Sequence, residues 1–177
     1  PAWPRRKDGS NLLAGRAYLE KQLLEQPDTQ PRVEALYALS ISSAMEHRRG
    51  PTRFEARSFL EMMQNRETLT PEQVALLLLI ARNFAFEEEV RLLGGLLEQQ
   101  LREQNALSSL SLSSLGHVYL ALSMGMQQPA MADPVLHVMC VRLSESVGLT
   151  GWQQLAAFLA LIMDDYWQGD FDIGVNY

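Results

Sequence analysis

A unit of about forty residues recurs along this chain and limits what it can fold into. Four segments open on a hydroxyl residue and run into the same apolar pattern: Thr29 to Ser40, Thr70 to Ala81, Ser111 to Leu122 and Thr150 to Ile162. Val33, Val74, Leu115 and Leu155 serve as anchors, spaced 41, 41 and 40 residues apart. Three, four and six places beyond them stand Leu36, Tyr37 and Leu39; Leu77, Leu78 and Ile80; Val118, Tyr119 and Ala121; Phe158, Leu159 and Leu161. Those offsets line one face of a helix. A chain that repeats one helical unit buries its apolar faces by stacking copies, and such stacks usually serve as binding surfaces. The expectation is an all-α fold, an α-solenoid of three to four helical hairpins.

Composition fits that expectation. The 177 residues suit one domain, and 47% apolar residues supply a core. No run of eighteen apolar residues is present, so no membrane-spanning helix is expected. Cys140 is the only cysteine, which excludes an internal disulfide and a cysteine-built metal cage. The chain opens Pro1-Ala2-Trp3-Pro4 without Met, as expected of a chain that starts after a removed segment or within a longer protein. Charge is uneven. Residues 1–66 hold 11 Lys or Arg against 8 acids (+3), and residues 133–177 hold Arg142 against 6 acids (−5). The net charge of −6 argues against unspecific nucleic-acid binding by the whole surface and leaves room for a basic N-terminal edge.

Three regions follow. Residues 1–11 read as an extended tail, with two prolines, Gly9 and Arg5-Arg6-Lys7. Trp3 in that tail suits either a pocket on a partner or a fold-back onto its own domain. Residues 12–168 read as one helical repeat domain. Its first helix, Leu12 to Gln26, carries Leu12, Leu13, Ala17, Leu19, Leu23 and Leu24 as its stripe, and is half of an incomplete unit or an N-terminal cap. Three hairpins follow, over Thr29–Thr68, Leu69–Ser109 and Leu110–Gly148. Phe54, Phe59, Leu60 and Met63 are expected inside in the helix from Thr52 to Asn65. Thr70-Pro71-Glu72-Gln73 is a helix start with a capping box, and Ser111 caps the next unit. The helix from Met131 to Val147 has Pro134 in its expected first turn. The fourth unit starts at Thr150 and lacks its second helix. Residues 169–177 read as an extended tail, because Phe171, Ile173, Val175 and Tyr177 alternate with Asp172, Gly174 and Asn176. That tail is expected to cover the open end of the stack or to add as a strand to a partner.

Chemistry is sparse. His137 and Cys140 lie three apart, as a nucleophile and base can, but amid apolar residues that make Cys140 a small core residue on the simplest reading. His117 occupies a position that is Ala35, Leu76 or Ala157 in the other units, and reads as a structural histidine with a partner. Asp164, Asp165, Asp170 and Asp172 do not follow a cation-loop spacing and read as a solvated end. No phosphate loop, nucleotide fingerprint, zinc spacing or nucleophile elbow is present, so no catalytic residue, metal or cofactor is expected. Arg48, Arg49, Arg53 and Arg57 cluster at a turn. With Arg5, Arg6, Lys7 and Arg32 they form the candidate contact for RNA or an acidic partner, with an ordinary solvated turn as the alternative. Trp3, Phe171, Ile173, Val175 and Tyr177 are the candidate docking residues for protein.

Two repeats carry a family resemblance. They are Leu69-Thr70-Pro71-Glu72-Gln73-Val74-Ala75-Leu76-Leu77-Leu78 and Leu110-Ser111-Leu112-Ser113-Ser114-Leu115-Gly116-His117-Val118-Tyr119-Leu120-Ala121-Leu122. This chain resembles the helical repeats of organellar RNA-associated proteins, the octotricopeptide and heptatricopeptide groups and the FAST-kinase-like, RAP-domain proteins, within the broader HEAT-like class. The resemblance covers about residues 29 to 167. No RAP-type C-terminal domain is visible, and the acidic balance departs from a typical RNA binder. The resemblance implies a mitochondrial or plastid protein in RNA processing, or a non-catalytic scaffold in an organellar ribosome surrounded by protein subunits. A cytoplasmic protein–protein adaptor without RNA is the alternative.

Overall fold

The structure, a computed structural model, describes residues 10–45, 50–102, 106–126 and 129–144. The expected fourth unit, both expected tails, and His47, Arg48 and Arg49 lie outside the described residues. Among the described residues every regular element is helical. In chain order these are α1 (Ser10–Glu25), α2 (Thr29–Met45), α3 (Arg53–Gln64), a 3₁₀ turn (Arg66–Thr68), α4 (Pro71–Asn83), α5 (Glu87–Leu101), α6 (Ala106–Ser109), α7 (Leu112–Leu120), a π turn (Ala121–Gly125) and α8 (Pro129–Ser144). The chain divides after Gln64 into two compact units.

In the first unit α1 packs on α2, and α2 on α3. The anchor Val33 and its partners Leu36 and Leu39 are fully buried. Only one side of α1 is used. Its inward face runs through Arg16, Leu19 and Leu23, and Leu13, Ala17 and Leu24 lie about a quarter-turn round the helix and are exposed. Leu13 and Leu24 are each 71% exposed. The apolar stripe is broad, and its composition did not reveal which edge of it faces α2. In α3 the buried side runs through Glu55, Ser58, Phe59, Met62 and Met63. Leu60 falls off that side and is 53% exposed, contrary to the sequence expectation, while Met62 takes the interior place.

In the second unit α4 is the hub. It packs on α5, α7 and the π turn, and every residue from Val74 to Ala81 is buried. A helix that is apolar all round belongs in an interior of this kind. Thr70 closes the expected capping box with Gln73 at its start. Its other end is a left-handed reversal in which Phe86 N–H reaches the Ala81 carbonyl at 2.8 Å and Ala85 N–H reaches Arg82 at 3.1 Å. Ala85 takes φ 57° there, a position usually given to glycine. The anchors Val74 and Leu115 are fully buried, as are Leu77, Leu78, Ile80, Val118 and Ala121. The same register is therefore buried in α2, α4 and α7.

Two close approaches fix where α7 ends. The π turn is closed by Met126 N–H on the Ala121 carbonyl at 3.0 Å, and the widened backbone seats Gly125 against the Leu78 side chain of α4. A Cβ at Gly94 would lie 2.8 Å from Met126 Cε, so this glycine lets the chain after the π turn approach α5. The helix α8 begins at Pro129, earlier than expected, which leaves Pro134 inside the helix instead of in its first turn. Its buried residues are Ala132, Val135 and Met139. Cys140 lies beside that stripe and is partly exposed, not a core residue.

Candidate functional site

Polar side chains gather at four places, around Glu55 and Glu72 near helix starts, around Glu61, and around Arg142. The first lies in α1–α3. Thr52 and Glu55 cap α3 reciprocally: Thr52 N–H donates to Glu55 Oε2 at 2.8 Å, and Glu55 N–H donates to Thr52 Oγ1 at 3.2 Å. The Glu55 side chain is 0% exposed. Its Oε1 accepts from the Arg16 guanidinium of α1 and, at 3.4 Å, from the Ser43 hydroxyl of α2. One carboxylate thus holds three helices. A buried charge of this kind is tolerated only when it is paired and its lone pairs are filled.

The second gathers at the N-terminal ends of α4 and α7. Glu72, in the first turn of α4, accepts from Ser114 Oγ at 2.7 Å through Oε2, and meets His117 Nδ1 at 3.0 Å through Oε1. Ser114 N–H in turn donates to the cap Ser111 Oγ at 3.0 Å, and the two hydroxyls are 2.6 Å apart. The His117 side chain is 30% exposed and that of Glu72 is 19% exposed. The His117 hydrogen bond holds the Glu72 carboxyl below the usual carboxylate range, against burial, with help from Ser114 and the imidazole charge. Ser114 donates to the carboxylate, so in this arrangement the hydroxyl is not aimed at the imidazole as an activated nucleophile would be.

The third concerns the expected basic edge. Of the eight residues, Arg32, Arg53 and Arg57 are described; Arg5, Arg6, Lys7, Arg48 and Arg49 lie outside, as do Trp3, Phe171, Ile173, Val175 and Tyr177. Arg32 and Arg57 converge on one acid. Arg57 Nε donates to Glu61 Oε1 at 2.9 Å, and Arg32 Nη2 lies 3.8 Å from Glu61 Oε2. Arg32 Nε also donates to the Leu23 carbonyl near the end of α1, at 3.2 Å. Arg53 is exposed at the first position of α3. The edge is thus partly neutralised from within.

Arg142, the lone basic residue of the acidic C-terminal stretch, donates to the carbonyls of Leu107, Ser108 and Leu110, and so fastens α8 to the end of α6. Among the described residues no group of three or more His, Cys, Asp or Glu side chains is arranged to hold a metal ion. His137 is exposed. The reading of His117 as a partnered structural histidine holds, and its partner is Glu72. Sequence reasoning missed Glu55, although Thr52-x-x-Glu55 is a capping signature. It also missed Arg16, for which a residue 39 positions away gives no local signal.

Comparison with known protein families, curated proteins and solved structures finds no match.

Proposed function

We propose that this chain is a non-catalytic helical-repeat scaffold that joins a larger assembly through protein contacts. The observation that carries the reading is the buried anchor register recurring in α2, α4 and α7, which is how helical-repeat binding proteins build their frame. Two further features support protein as the main partner. The helix α1 exposes Leu13 and Leu24, and Glu61 takes up Arg32 and Arg57. The acidic balance of the chain points the same way.

The repeat resemblance supports an organellar ribonucleoprotein, such as a mitochondrial ribosome, as that assembly, with the organellar matrix as its location. In that setting Arg53, with Arg5, Arg6, Lys7, Arg48 and Arg49, supplies the RNA-facing charge. The pairing on Glu61 favours a second reading, a pure protein–protein adaptor that touches no RNA.

Charge reversal separates them. Leu13→Glu with Leu24→Glu alters exposed positions and leaves folding intact; it is expected to reduce incorporation into the native particle. Arg48→Glu, Arg49→Glu and Arg53→Glu together are expected to weaken a salt-sensitive contact if RNA is held, and to change nothing in a pure adaptor. Normal incorporation of the double leucine variant would remove α1 from the contact surface.

A further inference from the structure

The polar contacts described between α4 and α7 pass through Glu72, and their character depends on a histidine. We propose that the Glu72–His117 contact is a proton-operated latch between the second and third helical hairpins, tight when the imidazole is protonated and looser when it is neutral.

Placement is the first argument. Glu72 sits in the first turn of α4 and His117 in the middle of α7, so the contact joins the anchor helices of two successive repeats. The same two helices bury Val74 and Leu115. The geometry is that of a hydrogen bond at 3.0 Å, and Ser114 holds the other carboxylate oxygen in place at 2.7 Å. The carboxylate is therefore a fixed acceptor, and the changing partner is the imidazole.

Chemistry is the second argument. Imidazole ordinarily changes charge near pH ~6.5. With the proton on, the contact is an ion pair as well as a hydrogen bond to a carboxylate. With the proton off, one tautomer still donates from Nδ1 to the charged carboxylate, and the attraction between opposite charges is lost. The exposed part of His117 gives solvent access for the exchange.

Among the described residues the charged groups on the elements packed against α7 are few. The helix α7 packs on α4, α8 and the π turn. On α4 the other charged group is Arg82, at the far end and 3.4 Å from Glu87. The described part of α8 brings Asp133, His137, Cys140 and Arg142, the last committed to the carbonyls of 107–110. The π turn carries no titratable side chain, and α7 carries no other charged one. His117 takes part in a further interaction besides the one with Glu72.

The test is amide hydrogen exchange on the full chain, comparing wild type with His117→Gln at the same pH. Glutamine can still donate to Glu72 but carries no charge. At about pH 5.5 the amides of 72–76 and 112–118 are expected to open about three- to tenfold less often in wild type, and the ratio is expected to approach one at about pH 8. Glu72→Gln should flatten the same pH dependence. An equal ratio at both pH values would overturn the latch. A second readout needs no variant: in an NMR titration of wild type, the His117 ring signals and the amides of Gln73 to Ala75 are expected to move with one midpoint. A histidine that titrates without moving those amides, or does not titrate between about pH 5 and pH 9, would also overturn it.

Discussion

The two units solve one problem with different partners. Each places a glutamate in the first turn of a helix and uses it to tie that helix to a neighbour. In α1–α3 the acid is Glu55, wholly enclosed and met by an arginine that keeps its charge at any accessible pH. In α4–α8 the acid is Glu72, partly open to solvent and met by a histidine. The first arrangement is a permanent lock, because removing Arg16 strands the Glu55 charge in the interior. The second is less enclosed, because water reaches both groups. Units that share a buried apolar register therefore differ in the polar group that joins their helices. The difference lies in one polar side chain per junction.

The largest test of that contrast removes each acid in turn. Glu55→Ala takes from the Arg16 guanidinium its buried partner and leaves it the half-exposed Glu20, 3.1 Å from Nε, and is expected to cost about 3 kcal/mol. Glu72→Ala exposes Ser114 and His117 to water instead, and is expected to cost about 1–2 kcal/mol. Urea denaturation with exchange probes in each unit reads both; equal losses would erase the distinction. Next in size is packing around the hub helix. Gly125→Ala drives a methyl into Leu78 and is expected to cost about 1–3 kcal/mol. Gly95→Ala meets nothing within 4 Å and is expected to gain up to about 1 kcal/mol from helix propensity. Thermal melts of the two variants should move in opposite directions.

Capping comes third. Thr70→Ala removes the hydroxyl that accepts from Gln73 N–H and is expected to cost about 1 kcal/mol, read by urea denaturation. Acid gives the smallest effect. The Glu72 carboxyl is held below its ordinary value, so its contribution is complete above pH ~4.3 and is lost as pH falls through the lowered value. Below that, wild type and Glu72→Gln should converge in stability; a gap that persists at pH ~2 would mean the carboxylate charge is not what His117 and Ser114 stabilise.

The sequence made the apolar frame legible and left the polar joints obscure. Val33, Val74 and Leu115 are all in the interior because a repeated 3.6-residue period marks a buried face wherever it falls. The capping box at Thr70 was legible for the same reason: its whole signal lies within four residues. Leu60 and the outer leucines of α1 were not, since an apolar residue near a stripe boundary is placed by the neighbouring helix and not by its own. The pair Arg16–Glu55 spans 39 positions and Glu72–His117 spans 45, distances at which no local pattern survives. His117 still announced itself as a polar residue in a column that is otherwise Ala or Leu. The left-handed Ala85 was equally hidden, because the residue type that usually signals such a reversal is absent.

The most direct test of the scaffold reading is sedimentation of the native chain from its source cells, with and without ribonuclease, at low and raised salt. A chain held by protein contacts is expected to stay in a large complex after ribonuclease treatment and to tolerate salt. Release as a free monomer by ribonuclease alone would contradict that reading and return attention to Arg48, Arg49 and Arg53 as the principal contact.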